Sequence, residues 1–418
     1  MAVIRPFRGL RYHPGKVVDL ASVMSLPYDV LTERDREELL QANPYNIVRL
    51  IWGKDLPGDG PQESKYLRAS RLLHEWMQQG ILTPDEQEAF YLSVQDFALG
   101  SEVRTRRGII ARVPLQGREA GEILRHEETF SEQKEDRLRL LQATHANLDP
   151  IFGLYEGSGP QLEAIMDEEM KRPPLLDLRD RWGVRQRLWA ITDSNAHQRI
   201  EREMEDRRLF IADGHHRYEA ALEYYRQMGE YDQIMMVLIS MEDPGLVILP
   251  VHRLLREMGR DVLGKLLQTA RAQFSVAELR LPPSEKEKAA FVQEQLRKNE
   301  ASAYRCGVYG GGDSLFLLSS SKPDAHLRLD VEVLDEVILH GFLGLKGREK
   351  EEKVSYTSDT GEALREVEAG SHDLAFLVRP TSLGEVRSIS LAGKRMPPKS
   401  TYFYPKLLSG LVINRLGT

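Results

Sequence analysis

The sequence holds 418 residues, 41% hydrophobic and 29% charged, with a formal net charge of -7. Such a length sets two domains as the expectation, and the composition is that of a soluble globular chain rather than a disordered or fibrous one. The negative balance argues against a general nucleic-acid binder, the single cysteine (Cys306) excludes an internal disulfide and a four-cysteine zinc site, and no apolar run approaches the ~18 residues of a membrane span.

The opening stretch, MAVIRPFRGLRYHPG, lacks the apolar core of a signal peptide, so the expected location is the cytoplasm. Pro27 extends residues 25–30, and a charged helix begins at Thr32 and ends at Asn43-Pro44-Tyr45-Asn46. Residues 47–52 read as a strand. A Gly- and Pro-rich loop over 54–62 precedes an amphipathic helix over 63–79, with Leu67, Leu72, Leu73 and Trp76 on its apolar side. Residues 90–97 and 108–115 alternate well enough to pair as a hairpin. The polar stretch 131–139 leads into a helix over 140–148 and a strand over 151–155. A helix over 161–171, a strand over 186–191 and a helix over 195–207 follow, and residues 234–241 and 246–249 look like buried strands. Further on, helices over 263–274, 285–298 and 332–342 alternate with strands near 304–309 and 315–318. Gly310-Gly311-Gly312-Asp313 is expected to be a hairpin turn, since no Lys-Ser or Lys-Thr follows it. The class is mixed α/β, with a boundary expected near residue 255.

The residues able to carry chemistry centre on 209–226, LFIADGHHRYEAALEYYR. A short apolar run with strand character breaks at Asp213-Gly214 and then turns helical, with Tyr218, Ala221, Leu222 and Tyr225 recurring at three- and four-residue spacing. A strand that turns at a glycine into a helix aims N–H groups at one spot, where the helix dipole favours an anion. His215, His216 and Arg217 sit in that first turn, and Arg217 carries a planar fork suited to phosphate or carboxylate. An ordinary helix capped by Asp213, with solvated histidines, fits the same letters.

Three other clusters carry polar groups. His126-Glu127, followed by Lys134, Asp136 and Arg137, suits acid–base work or a hard divalent metal, or is simply a charged loop. Lys399-Ser400-Thr401, with Lys406, offers an ammonium and two hydroxyls to phosphate oxygens, or forms an edge strand. Pro27-Tyr28-Asp29 with Asn43 and Asn46 reads as helix and turn capping. Adjacent His215 and His216 diverge on a helix, so a zinc pair fails. Neither a Gly-x-Ser-x-Gly elbow nor a Gly-x-Gly-x-x-Gly fingerprint is present.

From end to end these residues resemble the family catalogued as domain of unknown function 1015, found in bacteria and archaea. The matching segments are IRPFRGLRY, LPYDVL, NPYNIVRLI, HEETFSEQKEDRLRLLQATHAN, PIFGLY, IADGHHRYEAAL, MMVLISMEDPGLVILPVHRL and MPPKSTYFYPKLLSGLV. The GHHRYEAA run also resembles the glycine–two-residue–arginine box of the ParB/sulfiredoxin-like superfamily, which lies at a helix N-terminus and holds nucleotide phosphates. That resemblance implies a ParB/sulfiredoxin-like core over 1–255 and a smaller α+β domain over 256–418.

Sulfiredoxins place a reactive cysteine after the glycine; here His215 stands there, so that chemistry is not implied. ParB proteins bind CTP on DNA, a role that the acidic balance and the lack of a clear helix-turn-helix do not support. The resemblance to free serine kinases of the same superfamily implies an ATP- or ADP-dependent kinase of a small hydroxyl metabolite such as L-serine. Its nucleotide would meet Gly214, His215, His216, Arg217, Lys134, Arg137, Lys399, Ser400 and Thr401. Glu127, His126, Asp213 and His215 would be catalytic, and Asp213 and Glu127 would hold Mg²⁺. The partners implied are a nucleotide and a small-molecule substrate, without a membrane. A non-catalytic, nucleotide-responsive regulatory protein is the second reading, and a ParB-like DNA-associated protein the third.

Overall fold

The structure is a computed structural model that describes residues 3–115, 123–129, 131–259, 261–298, 304–320 and 329–417. Two units emerge, Met1–Val247 together with Pro405–Thr418, and Ile248–Tyr404. The division falls ahead of the expected residue 255, because the strand His252–Leu255 is paired on both sides by strands of the second unit. Residues 405–418, expected in the C-terminal domain, belong to the first unit.

The first unit is organised on an eight-stranded mixed sheet. Its strands, in chain order, are Phe90–Leu99 (β1), Glu102–Pro114 (β2), Ile123–Leu124 (β3), Ile151–Tyr155 (β4), Leu176–Arg179 (β5), Arg185–Ile191 (β6), Leu209–Asp213 (β7) and Gln233–Ser240 (β8). Across the sheet the order is β3-β7-β4-β8-β2-β1-β6-β5. The expected hairpin is β1 and β2, and it runs longer than the alternation suggested, to Leu99↔Glu102. Strands β4 and β8 pair in parallel, whereas β7 and β4 are antiparallel with an irregularity between Ile211 and Asp213. The irregularity lies at the end of β7, where the chain leaves the sheet. β4 and the middle of β8 are buried throughout, as continuous apolar runs covered on both faces require.

Helix Ser131–Thr144 (α1) packs against helix His215–Met228 (α2), and Leu138, Leu141, Tyr218 and Ala221 join one core with β4, β7 and β8. The polar stretch 131–139 is thus the first half of a helix, not a loop. Its Glu, Lys and Arg residues are good helix formers that need no apolar face until Leu138. Residues 47–52 are not a strand either. Asn46 accepts the Val48 N–H at 2.9 Å while its own amide donates to the Ser22 and Met24 carbonyls, which winds Val48–Ile51 into a helical turn. No helix among the described residues is long and apolar enough to cross a membrane.

The second unit carries a six-stranded antiparallel sheet. Its strands are His252–Leu255 (β9), Ser275–Arg280 (β10), Tyr304–Tyr309 (β11), Ser314–Ser320 (β12), Val354–Thr357 (β13) and Leu374–Val378 (β14), in the order β10-β12-β11-β14-β9-β13. The glycine-rich turn expected at 310–313 joins β11 to β12. Where a regular helix was expected over 332–342, Val333–Phe342 is wound as a π-helix.

His252 gives the second unit a pH dependence. It is buried, its Nδ1 accepts the Val378 N–H at 3.2 Å, and its Nε2 meets Thr360 Oγ1 at 3.0 Å. Burial, aided by the neighbouring Arg253 charge, pushes its pKa down to about 3. Between the ordinary value and that one the unfolded chain binds the extra proton, so stability falls as pH falls through this window. Roughly 2 kcal/mol is expected to be lost between about pH 6.5 and pH 5. Urea unfolding followed by a second-unit probe, in wild type and His252→Asn, checks this: an equally steep slope in both proteins would acquit His252.

Candidate functional site

The turn between β7 and α2 is built by one residue that only glycine suits. Gly214 adopts φ 93, in the left-handed region, and caps α2 without a side chain. A Cβ there would lie 3.0 Å from the Arg217 guanidinium, which folds back over the turn. Arg217 Nη2 donates to Asp213 Oδ2 at 3.0 Å, and Nη1 donates to the Pro150 carbonyl. From the far end of the chain, Lys406 Nζ donates to Asp213 Oδ1 at 2.6 Å. One carboxylate at the end of β7 is therefore gripped by two cations, the buried Lys406 and the half-buried Arg217.

Arg217 is surrounded by acid. Burial works against its charge, but the carboxylates of Asp213, Asp149 and Asp29 together hold its pKa above the ordinary value. Asp149 is buried; burial pushes its pKa up, with the Arg217 charge and the Ser409 hydroxyl pulling the other way. Asp29 keeps a buried Oδ1 that accepts no hydrogen bond among the described residues. Arg137, from α1, donates to the Ile51 carbonyl at 2.8 Å and to Asp136, and stacks 3.8 Å over the Tyr28 ring. Arg137, Asn147, Asp149 and Arg217 line one cavity of about 40 Å³, room for two or three waters.

The second expected cluster comes to the same turn. His126 is fully buried, and its ring meets that of His215 edge-on, with centroids 4.7 Å apart. The segment carrying His126 and Glu127 is tied to α2 through Glu219, which receives Arg125 Nη1 at 2.8 Å and the Thr129 hydroxyl. Glu127 and His216 are half-buried, and Lys134 stands half-buried in the first turn of α1. Lys399, Ser400 and Thr401 belong to the second unit. There Lys399 has a left-handed backbone (φ 60), the Ser400 hydroxyl donates to the Pro397 carbonyl at 2.6 Å, and Thr381 donates to the Ser400 carbonyl. Asn43 and Asn46 cap turns, as their residue types suggest.

The Mg²⁺ expected on Asp213 and Glu127 does not fit this arrangement. Both Asp213 oxygens already face cations, and among the described residues no group of three His, Cys, Asp or Glu could hold a metal ion. Sequence reasoning missed Asp149. A lone acid ahead of a proline, in the apolar run NLDPIFGLY, was the signal that could have found it.

No curated protein matches the sequence. Among solved structures, a conserved hypothetical protein from Pyrococcus furiosus is similar at 14% identity and a TM-score of 0.37, over 71% of this chain and 92% of that one. A mutant free serine kinase in complex with ADP is similar at 14% identity and a TM-score of 0.36, over 70% and 87%. C-terminally truncated SbnI from Staphylococcus aureus is similar at 13% identity and a TM-score of 0.39, over 72% and 86%. The model of the family described as "Protein of unknown function (DUF1015)" matches residues 4–337, and the chain belongs to that family.

Proposed function

We propose that this protein binds the phosphates of a nucleotide, ATP or ADP, at the turn between β7 and α2, and transfers a phosphoryl group to a small hydroxyl metabolite such as L-serine. One observation carries the reading: Asp213 is held by Lys406 and Arg217 where the helix N-terminus favours negative charge. The carboxylate occupies the place of an anion, and a phosphate competes for the same two cations. Phosphoryl transfer asks a protein for positioning and charge neutralisation more than for covalent chemistry. Arg217 and Lys406 supply the charge, and His126, His215 and Glu127 are the acid–base candidates beside them.

The test is titration calorimetry of ATP, ADP and CTP against wild type and Arg217→Lys. The substitution keeps the charge and removes the fork, so nucleotide affinity is expected to fall roughly ten- to a hundredfold, or ~1.5–3 kcal/mol. Equal affinity in both would remove the phosphate from this turn. Phosphorus NMR of mixtures with Mg²⁺ and a hydroxyl-metabolite panel then reads turnover, expected to vanish in Glu127→Gln.

The regulatory reading has one observation in its favour. The cavity beside Arg217, about 40 Å³, is far below the ~300 Å³ of an ordinary small-ligand pocket. The turn must open to admit a nucleotide, and a protein that only senses one needs no more than that opening. Nucleotide binding without product across the panel would select it.

A further inference from the structure

The second unit holds a buried guanidinium whose Nε and Nη2 make no hydrogen bond among the described residues. Arg253, on β9, is 0% exposed. Its Nη1 donates to the Val251 carbonyl, while Nε and Nη2 have no hydrogen-bond partner among the described residues. Nε–H and the nearer Nη2–H form the side of an arginine that takes an oxyanion through two parallel bonds. Arg379, in the same unit, shows that edge in use: its Nε and Nη2 reach the two oxygens of Asp330. Buried polar groups are almost always satisfied, so an unfilled fork in a core calls for a partner.

The surroundings specify that partner. Asp335, in the first turn of the π-helix, is also buried, and its Oδ1 stands 3.9 Å from Arg253 Nε, too far for a hydrogen bond. That Oδ1 accepts no hydrogen bond among the described residues, whereas Oδ2 receives Lys350 Nζ at 3.0 Å. Tyr304, on β11, is buried, within electrostatic reach of Arg253 and Asp330, and among the described residues its hydroxyl has no oxygen or nitrogen partner, with the weakly bonding Cys306 thiol beside it. Arg253 and Lys350 carry two positive charges against one on Asp335, so the cluster has a positive excess. The positive excess favours an anion that accepts from Arg253 and Tyr304 and also donates to Asp335 Oδ1. A carboxylate or sulfate ion has no proton to give; a hydrogen phosphate ion has one. The roof is a π-helix, a rare winding that recurs at functional sites.

We propose that the second unit binds a free hydrogen phosphate ion between Arg253, Tyr304 and Asp335, independently of the turn at Arg217. The test is calorimetric titration of the full chain with inorganic phosphate, sulfate and methyl phosphate. Wild type is expected to show a saturable phosphate site that binds sulfate and the bulkier ester at least tenfold more weakly. The site is expected to persist in Arg217→Lys, to weaken at least tenfold in Tyr304→Phe, and to vanish in Arg253→Met. Tyr304→Phe removes a hydroxyl that the unliganded fold barely uses, so it stays informative if Arg253→Met fails to fold. Absence of saturable phosphate binding in wild type, meaning that water alone bridges these groups, would overturn the proposal. So would sulfate or ester binding as tight as phosphate, unchanged affinity in Tyr304→Phe, or loss of the site in Arg217→Lys.

Discussion

Replacing Arg217 with alanine is expected to lower the stability of the first unit by ~3–5 kcal/mol, the usual effect of removing one partner from a buried ionic network. The side chain is only 10% exposed and serves Asp213 and the Pro150 carbonyl together. Without it Lys406 is left alone to balance Asp213, and Asp149 loses the cation that opposes its burial. The effect has a signed pH dependence. Asp149 already has a raised pKa in the folded protein, so the folded state takes its proton first, and the cost of burying its charge disappears as pH falls through that raised value. Asp149 loses more in the variant, so the gap between wild type and Arg217→Ala is expected to be widest near neutrality and to narrow as the pH is lowered. Urea unfolding of both proteins at neutral and at acidic pH measures it. A difference below ~1 kcal/mol, flat with pH, would mean that Arg217 is not part of a stabilising network.

The same residue shows what the sequence could and could not disclose. Strand, glycine and helix around Arg217 were legible because each leaves a local mark: an apolar run, an Asp-Gly break, and apolar residues at helical spacing. The approach of His126 to His215 was legible only as two clusters of suitable chemistry; their ring contact depends on β3 lying beside β7, which no local pattern encodes. Local pattern also misled. Residues 47–52 are apolar enough for a strand, yet the side chain of Asn46 turns them into a helix. The strands and helices between residues 354 and 391, namely β13, Thr360–Glu368, β14 and Leu383–Leu391, drew no expectation at all. Lys406 was grouped with Lys399 because they are seven positions apart, but the chain changes units between Tyr404 and Pro405. Proximity along the chain outweighed, in that reading, a long-range pairing that only the fold supplies.

That change of units leads to the largest effect expected for this protein. A chain ending at Tyr404 should fail to fold its first unit while keeping the second. Residues 405–417 are pinned to the first unit at separate points: Ser409 bridges Ser25, Ile413 bridges Leu10, and Asn414 pairs with Asn147. Their loss strips Arg106, which is buried beside Phe152, of the Pro405 carbonyl and strips Gln95 of the Lys406 carbonyl. Leu407, Leu408, Leu411, Val412 and Ile413 are all buried. At ~1.5–3 kcal/mol each they contribute roughly 7–15 kcal/mol, as much as the ~5–15 kcal/mol by which a whole domain is usually stable. The second unit has its own cores, around Leu255, Val308 and Phe376 on one face of its sheet and Leu254, Leu317 and Leu377 on the other. Hydrogen exchange separates the outcomes: in the shortened chain the amides of β2, β4 and β8 should lose protection while those of β11 and β14 keep it. Protected β4 and β8 amides in that chain would show that the first unit holds without its returning segment, and that the end of β7 does not need Lys406 opposite Asp213.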